Sequence, residues 1–304
     1  MTQTFVTQTF VTQTSVTPPT DPLERSALAA LSEELSARIA ALESERDALR
    51  AQVSSGRALL SMLSARIKAR LGFGGAGGAI AGPGSGIPLP TGQALRRAYS
   101  RGVRIASIVD VGASDGQWTD MCRGVFPDAR ALLLEANEAH LPALERFATG
   151  RRGVEVAIAA VGPQRRQLWF ERTPDPYGGR IHETRVRPEF LPLPGTTIDH
   201  EVASRGLAGP YLIKLDTHGF EIPILEGALE TMRDAQLVVV ECYPFRLGNG
   251  APLLHEFCAW MWDHGFMMLD LAEPLWRARD GCLWQVDLVF SPRTRPECGV
   301  NSWS

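Results

Sequence analysis

The longest hydrophobic pattern in this chain runs from about residue 22 to residue 71 and repeats every seven positions. Leu28, Leu35, Leu42, Leu49 and Leu63 share one heptad position, and Ile39, Val53, Leu60 and Ile67 share the other. Such a seam, on a Pro-free segment of Ala, Leu, Glu, Arg and Ser, predicts a long coiled-coil helix. Ser32 and Arg46 weaken the seam, and Gly56 beside Ser54 and Ser55 marks a kink. The expected role is homo-oligomerisation or partner docking, in preference to a helix folded back on the rest of the chain. Further on, the pattern changes to short β-branched runs alternating with amphipathic stretches. Helices are expected at Gln93–Arg101, Gln117–Val125, Leu141–Thr149, Glu221–Arg233 and Leu253–His264. Strands are expected at Ser107–Val111, Ala131–Glu135, Val154–Val161, Tyr211–Asp216 and Gln236–Glu241. That alternation predicts a parallel sheet between helices. Two closing strands, Phe266–Leu271 and Leu283–Phe290, predict an antiparallel edge, making the sheet mixed.

Composition divides the chain further. Residues 1–21 repeat a Thr-Gln-Thr-Phe-Val unit and end near Pro18 and Pro19, which predicts a disordered segment. Residues 72–91 are rich in Gly, Ala, Pro and Ser, as a flexible linker is, so the globular domain is expected over 92–304. The long Pro-, Arg- and Gly-containing stretch Thr173–Gly195 reads as a lid or substrate loop. With 31 basic and 34 acidic residues interspersed, the net charge of −3 argues against a nucleic-acid partner. Five scattered cysteines without a C-x-x-C pair argue against a disulfide framework or structural zinc. No apolar run approaches a bilayer span and no secretory leader pattern is present, so a cytoplasmic protein is expected. Arg57–Arg70 is basic and amphipathic, which suits peripheral contact with a membrane surface.

The chemistry concentrates at Ile108–Trp118, where an apolar run breaks into a turn with Gly112 and Gly116. Glycines there permit tight turning and close ligand approach, while Asp115 or Ser114 can cap the following helix. The spacing Asp110-x-Gly112-x-x-x-Gly116 is not the G-x-G-x-x-G of a dinucleotide site. Its carboxylate suits a cationic sulfonium better than a phosphate. Glu135 closes the next strand, where a carboxylate can accept both ribose hydroxyls of a nucleoside. Together these residues favour S-adenosylmethionine over NAD.

Several landmarks in order resemble the FkbM family of S-adenosylmethionine-dependent methyltransferases. They are Asp110, Gly112, Ala113 and Gly116; Glu135; Ala159–Gly162; Thr197, Ile198 and Asp199; then Lys214, Asp216, Gly219, Glu221, Leu225, Gly227 and Ala228; and finally Glu241. The resemblance covers roughly residues 92–292, with His218 where many members have Glu or Gln and Ala136 where many have Pro. It implies a Rossmann-like, seven-stranded mixed-sheet methyltransferase fold, here preceded by the coiled-coil helix. The cofactor would lie over the carboxyl ends of the first, second and fourth strands, held by Asp110, Gly112, Ala113, Ser114, Gly116, Glu135, Ala160 and Asp216. It also implies O-methylation of a sugar, polysaccharide or natural product, so the expected partner is a small-molecule or glycan acceptor.

Methyl transfer to a hydroxyl needs in-line positioning and a proton acceptor. Asp216, His218 and Glu241 are the candidate catalytic residues, His218 because an imidazole titrates near neutral pH. Glu221 is expected to anchor the loop or cap its helix. No compact metal-ligand spacing joins the three, so no metal is expected. Trp169, Phe170, Tyr177, Tyr243 and Phe245 are candidate acceptor-pocket aromatics, and Arg180, Arg185 and Arg187 candidate anion ligands. The alternative reading is a coiled-coil scaffold with a catalytically inactive methyltransferase-like domain.

Overall fold

The computed structural model describes residues 89–303 apart from 176, 249 and 250, together with Arg38. The Thr-rich repeat, the coiled-coil seam and nearly all of the linker lie outside the described residues. The first described helix, α1 (Thr91–Ser100), begins where the linker was expected to end. The order continues with β1 (Ser107–Val111), α2 (Gln117–Arg123), β2 (Arg130–Glu135), α3 (Leu141–Ala148), β3 (Val154–Ile158) and β4 (Ala160–Val161). Then come β5 (Gln167–Glu171), β6 (Arg180–His182), β7 (Leu191–Thr196), α4 (Ile198–Ser204), β8 (Tyr211–Leu215), α5 (Glu221–Glu226) and α6 (Leu229–Arg233). The last elements are β9 (Ala235–Cys242), α7 (Leu254–Asp263), β10 (Phe266–Trp276) and β11 (Leu283–Pro292).

Seven strands form one mixed sheet in the order β10-β11-β9-β8-β1-β2-β3. The pairs from β3 to β9 are parallel and β11 is antiparallel to both neighbours. Every residue of β1 and β8 is buried, as expected for central strands covered on both faces. Successive side chains go to opposite faces: Ile108, Leu133, Leu212 and Val239 join one core, and Val109, Leu132, Ile213 and Val240 the other. Arg97 of α1 donates from Nε and Nη2 to the two carboxylate oxygens of Asp270 in β10, each at 2.8 Å, fixing α1 on the sheet edge.

Three expectations are corrected. The strand expected over Val154–Val161 breaks at Ala159, and its end leaves the main sheet for a second one of order β4-β7-β5-β6. The expected lid over Thr173–Gly195 contains β6 and most of β7 of that second sheet, and β5 before it was not foreseen. Pro192 and Pro194 in β7 hid the strand, because Pro lowers strand propensity. The helix expected over Glu221–Arg233 divides at Gly227–Ala228 because α6 has its own cap: the Asp199 carboxylate accepts the Thr231 and Glu230 N–H groups at 2.8 and 3.1 Å. The helix α4 that carries Asp199 was also missed; Thr197 caps it by accepting the His200 N–H at 3.1 Å.

Candidate active site

A cleft of about 190 Å³ opens where the carboxyl ends of β1, β2 and β8 meet the second sheet. This is where ligands bind in open α/β sheets. Its walls come from Gly112 and Ser114 after β1, Glu135 to Asn137 after β2, Asp216 to His218 after β8, Glu241 of β9, and Phe170, Tyr177 and Ile181 from the second-sheet side. Glu135 is nearly buried, and both carboxylate oxygens are oriented by backbone: one accepts the Ser114 N–H at 2.9 Å and the other the Asn137 N–H at 2.8 Å. A carboxylate has about four lone-pair sites, so acceptor capacity remains toward the cleft. Gly112 has φ +75°, and a Cβ there would stand 2.1 Å from the Asp216 carbonyl oxygen. Only glycine lets the turns after β1 and β8 close together.

Asp110 does not reach the cleft. It is fully buried, because strand alternation points it at α2, where the Thr119 hydroxyl donates to it at 2.6 Å. The Lys214 ammonium lies 3.2 Å from Asp110 and 3.5 Å from Asp216, and donates to the Gly112 carbonyl at 2.9 Å. Burial alone would favour neutral lysine, but the two carboxylates outweigh it and hold Lys214 charged. Asp110 is therefore a positioning residue that works through Lys214. Ala113 is also buried in the core, and Gly116, with φ +83°, packs against the Phe147 ring, which a Cβ would meet at 2.7 Å. Ala160 is fully buried while its neighbours Ala159 and Val161 line the cleft, as a period of two requires. Of the eight expected cofactor residues, Gly112, Ser114, Glu135 and Asp216 line the cleft. The cap expected of Asp115 or Ser114 falls instead to Gly116, which has no side chain to cap with, and the Asp115 carboxylate accepts the Gln117 N–H at 3.1 Å from one residue earlier.

Asp216, His218 and Glu241 do converge in the cleft. The His218 Nε2 is 3.7 Å from Asp216 and 3.8 Å from Glu241, and the three groups offer ligand atoms within 4.8 Å of one another. Sequence reading named all three, and no compact spacing joins them because they reach the cleft from a strand end, a loop and a neighbouring strand. His218 sits at φ +58°, a strained backbone for a non-glycine residue, and its Nδ1 approaches the Gly179 carbonyl at 3.4 Å. Glu221, buried at the start of α5, accepts the Gly219 N–H at 2.9 Å and the Thr217 hydroxyl at 3.2 Å, so it anchors this loop. Glu241 accepts hydrogen bonds from the Tyr243 hydroxyl and the Gln285 amide. Burial and the nearby Asp216 carboxylate push the Glu241 carboxyl up to about 9. Burial also opposes ionisation of Asp216, but Lys214 and His218 outweigh it and hold that carboxyl below its usual range.

Among the candidate aromatics, Phe170 and Tyr177 line the cleft. Trp169 lies under the Arg185 guanidinium at 5.2 Å, Phe245 packs on Trp284 at 4.6 Å, and Tyr243 sits behind Glu241. Arg180, Arg185 and Arg187 stand outside its wall: Arg185 bonds the Pro188 carbonyl and Arg187 faces Glu189. Asn137 and His140 are wall residues that sequence reading missed; they follow Glu135 in a 3₁₀ turn whose only advance signal was the strand-ending acid.

A family model described as the methyltransferase FkbM domain matches residues 110–268, just over half of the chain. The chain belongs to the FkbM methyltransferase family. The match spans β1 to the start of β10, so the FkbM domain includes every wall of the cleft. No curated protein sequence matches the chain. Solved structures that resemble it at low identity include the following three. A Pyrococcus horikoshii protein assigned as an RNA methyltransferase is 15% identical over 66% of this chain and 81% of its own, with a TM-score of 0.39. A Klebsiella pneumoniae protein assigned as an O-methyltransferase is 14% identical over 69% and 83%, with a TM-score of 0.41. LepI, solved in complex with SAM, is 12% identical over 70% of this chain and half of its own, with a TM-score of 0.35.

Proposed function

We propose that this FkbM chain is an S-adenosylmethionine-dependent O-methyltransferase acting on a hydroxyl of a sugar, polysaccharide or natural product. The observation that carries the reading is one cleft that holds two chemically distinct groups of residues. The backbone-oriented Glu135 carboxylate at the end of β2 and the side-chain-free Gly112 turn after β1 suit a nucleoside with a ribose diol. Asp216, His218 and Glu241 bring two carboxyls and an imidazole together, groups suited to accept the proton of a hydroxyl. The cofactor, when bound, supplies an electrophilic methyl group. Glu135, Gly112 and Ser114 would hold it, Asp216 would lie between it and the acceptor, and Phe170 and Tyr177 would flank the acceptor and exclude water.

Calorimetric titration of the full chain tests the reading, with S-adenosylmethionine and NAD in parallel. Saturable binding of S-adenosylmethionine alone is expected, weakened at least about tenfold in Glu135→Ala, which removes charge-assisted hydrogen bonds worth about 1.5–3 kcal/mol. A chain that binds neither ligand would instead support a scaffold with an inactive methyltransferase-like domain.

A further inference from the structure

We propose that Asp216, His218 and Glu241 form a binding site for one divalent first-row cation of the Mn²⁺ type in the cleft. Two carboxylates and one imidazole are a mixed oxygen–nitrogen donor set suited to such ions. The His218 Nε2 stands 3.7 and 3.8 Å from the two carboxylates, with all three donor atoms within 4.8 Å. A point equidistant from atoms so placed lies roughly 2.0–2.4 Å from each, the span of metal–ligand bonds to divalent cations.

The surroundings orient each donor as ligands are oriented in metal sites. The carbonyl of Gly179 can only accept, so Nδ1 is the nitrogen that donates to it, and Nε2 is the nitrogen that faces the carboxylates. Tyr243 and Gln285 fix Glu241 from behind, and Lys214 takes the Asp216 oxygen that faces away from His218. The left-handed backbone at His218 keeps its ring in the cleft at a cost in strain. The nearest cation, Lys214, is already shared with Asp110. A divalent cation bound here would take the place of protons on this group and pair with both carboxylates. Its remaining coordination positions would face the cleft, where it would acidify an acceptor hydroxyl whose proton passes to solvent. Binding of the ion stands on these side chains alone; its part in methyl transfer rests on the function proposed above.

The full chain, freed of metal by chelator and dialysed, is titrated with MnCl₂ while free Mn²⁺ is followed by electron paramagnetic resonance. One site per chain is expected. His218→Ala and Glu241→Gln should each weaken it at least about tenfold, with thermal melts confirming that both variants fold. Glu135→Ala, which removes none of the three ligands, should leave Mn²⁺ affinity within about twofold. No uptake below about 1 mM by the parent chain, or unchanged uptake in both ligand variants, would overturn the site. S-adenosylmethionine titration of the same sample separates the two readings. Cofactor binding without Mn²⁺ uptake removes the cation site alone, and Mn²⁺ uptake without cofactor binding removes the cofactor reading alone.

Discussion

At the scale of single residues, the cleft depends on a small number of atoms held in unusual places. Gly112 is the clearest case, since its hypothetical Cβ would lie 2.1 Å from a backbone oxygen that cannot swing aside. Gly112→Ala is expected to cost about 3 kcal/mol, the sum of left-handed backbone strain and a displaced β8 turn. Urea unfolding would measure it, and a loss under about 1 kcal/mol would mean the two turns are not locked together. The same scale separates residues that touch the cleft from those that hold them. Asp110 and Lys214 look like ligand-binding residues in a linear motif, yet they form a buried ion pair supporting the Gly112 carbonyl and the Asp216 carboxylate. Motif reading identified that they matter, while their division of labour depends on strand alternation and on what packs above each face.

At the scale of elements, the pleat gathers charge on one face of the sheet. Asp110 of β1, Lys214 of β8, Glu241 of β9 and Asp287 of β11 lie on the face whose core includes Leu212, Leu237 and Val289, and Glu241 and Asp287 are directly paired in register. Asp287, bonded by the Thr91 hydroxyl of α1 at 3.1 Å, is pushed up to about 7 by burial and then by Asp216. Its unfolded counterpart ionises near pH ~4, so between about pH 4 and 7 the folded state holds the extra proton. The contribution of Asp287 to stability therefore falls as pH rises through that window and levels off above it. Asp287→Asn removes this dependence. In chelator, its stability relative to the parent should rise by on the order of 1–2 kcal/mol between pH 4 and pH 8. Urea unfolding at the two pH values tests this, and parallel curves for parent and variant would sink it. The second sheet is the element-scale surprise. Its strands are short, two prolines lie within β7, and the pairing of β6 and β7 with β5 draws in a stretch that alone resembles a loop.

At the scale of the whole molecule, the heptad seam of residues 22–71 predicts self-association of the full chain. Light scattering should give a mass above 33.2 kDa, the mass of one chain, and Leu35→Asn with Leu42→Asn should return it to that value. A monomeric parent would remove the seam from consideration as an oligomerisation element. Much of the α/β frame was legible in the sequence, because apolar period and Gly turns are local signals: β1 and the antiparallel closing strands fall where the pattern puts them. Glu135 and Gly112 were legible for the same reason, each sitting at the boundary between an apolar run and a polar turn. Tertiary structure decided what depends on distance in space. It withdrew Asp110, Ala113, Gly116 and Ala160 from the cleft, since burial follows from facing elements that no linear motif contains. It also brought Asp216, His218 and Glu241 together across two strand ends and a loop, an arrangement set by parallel pairing of β8 with β9 rather than by any spacing along the chain.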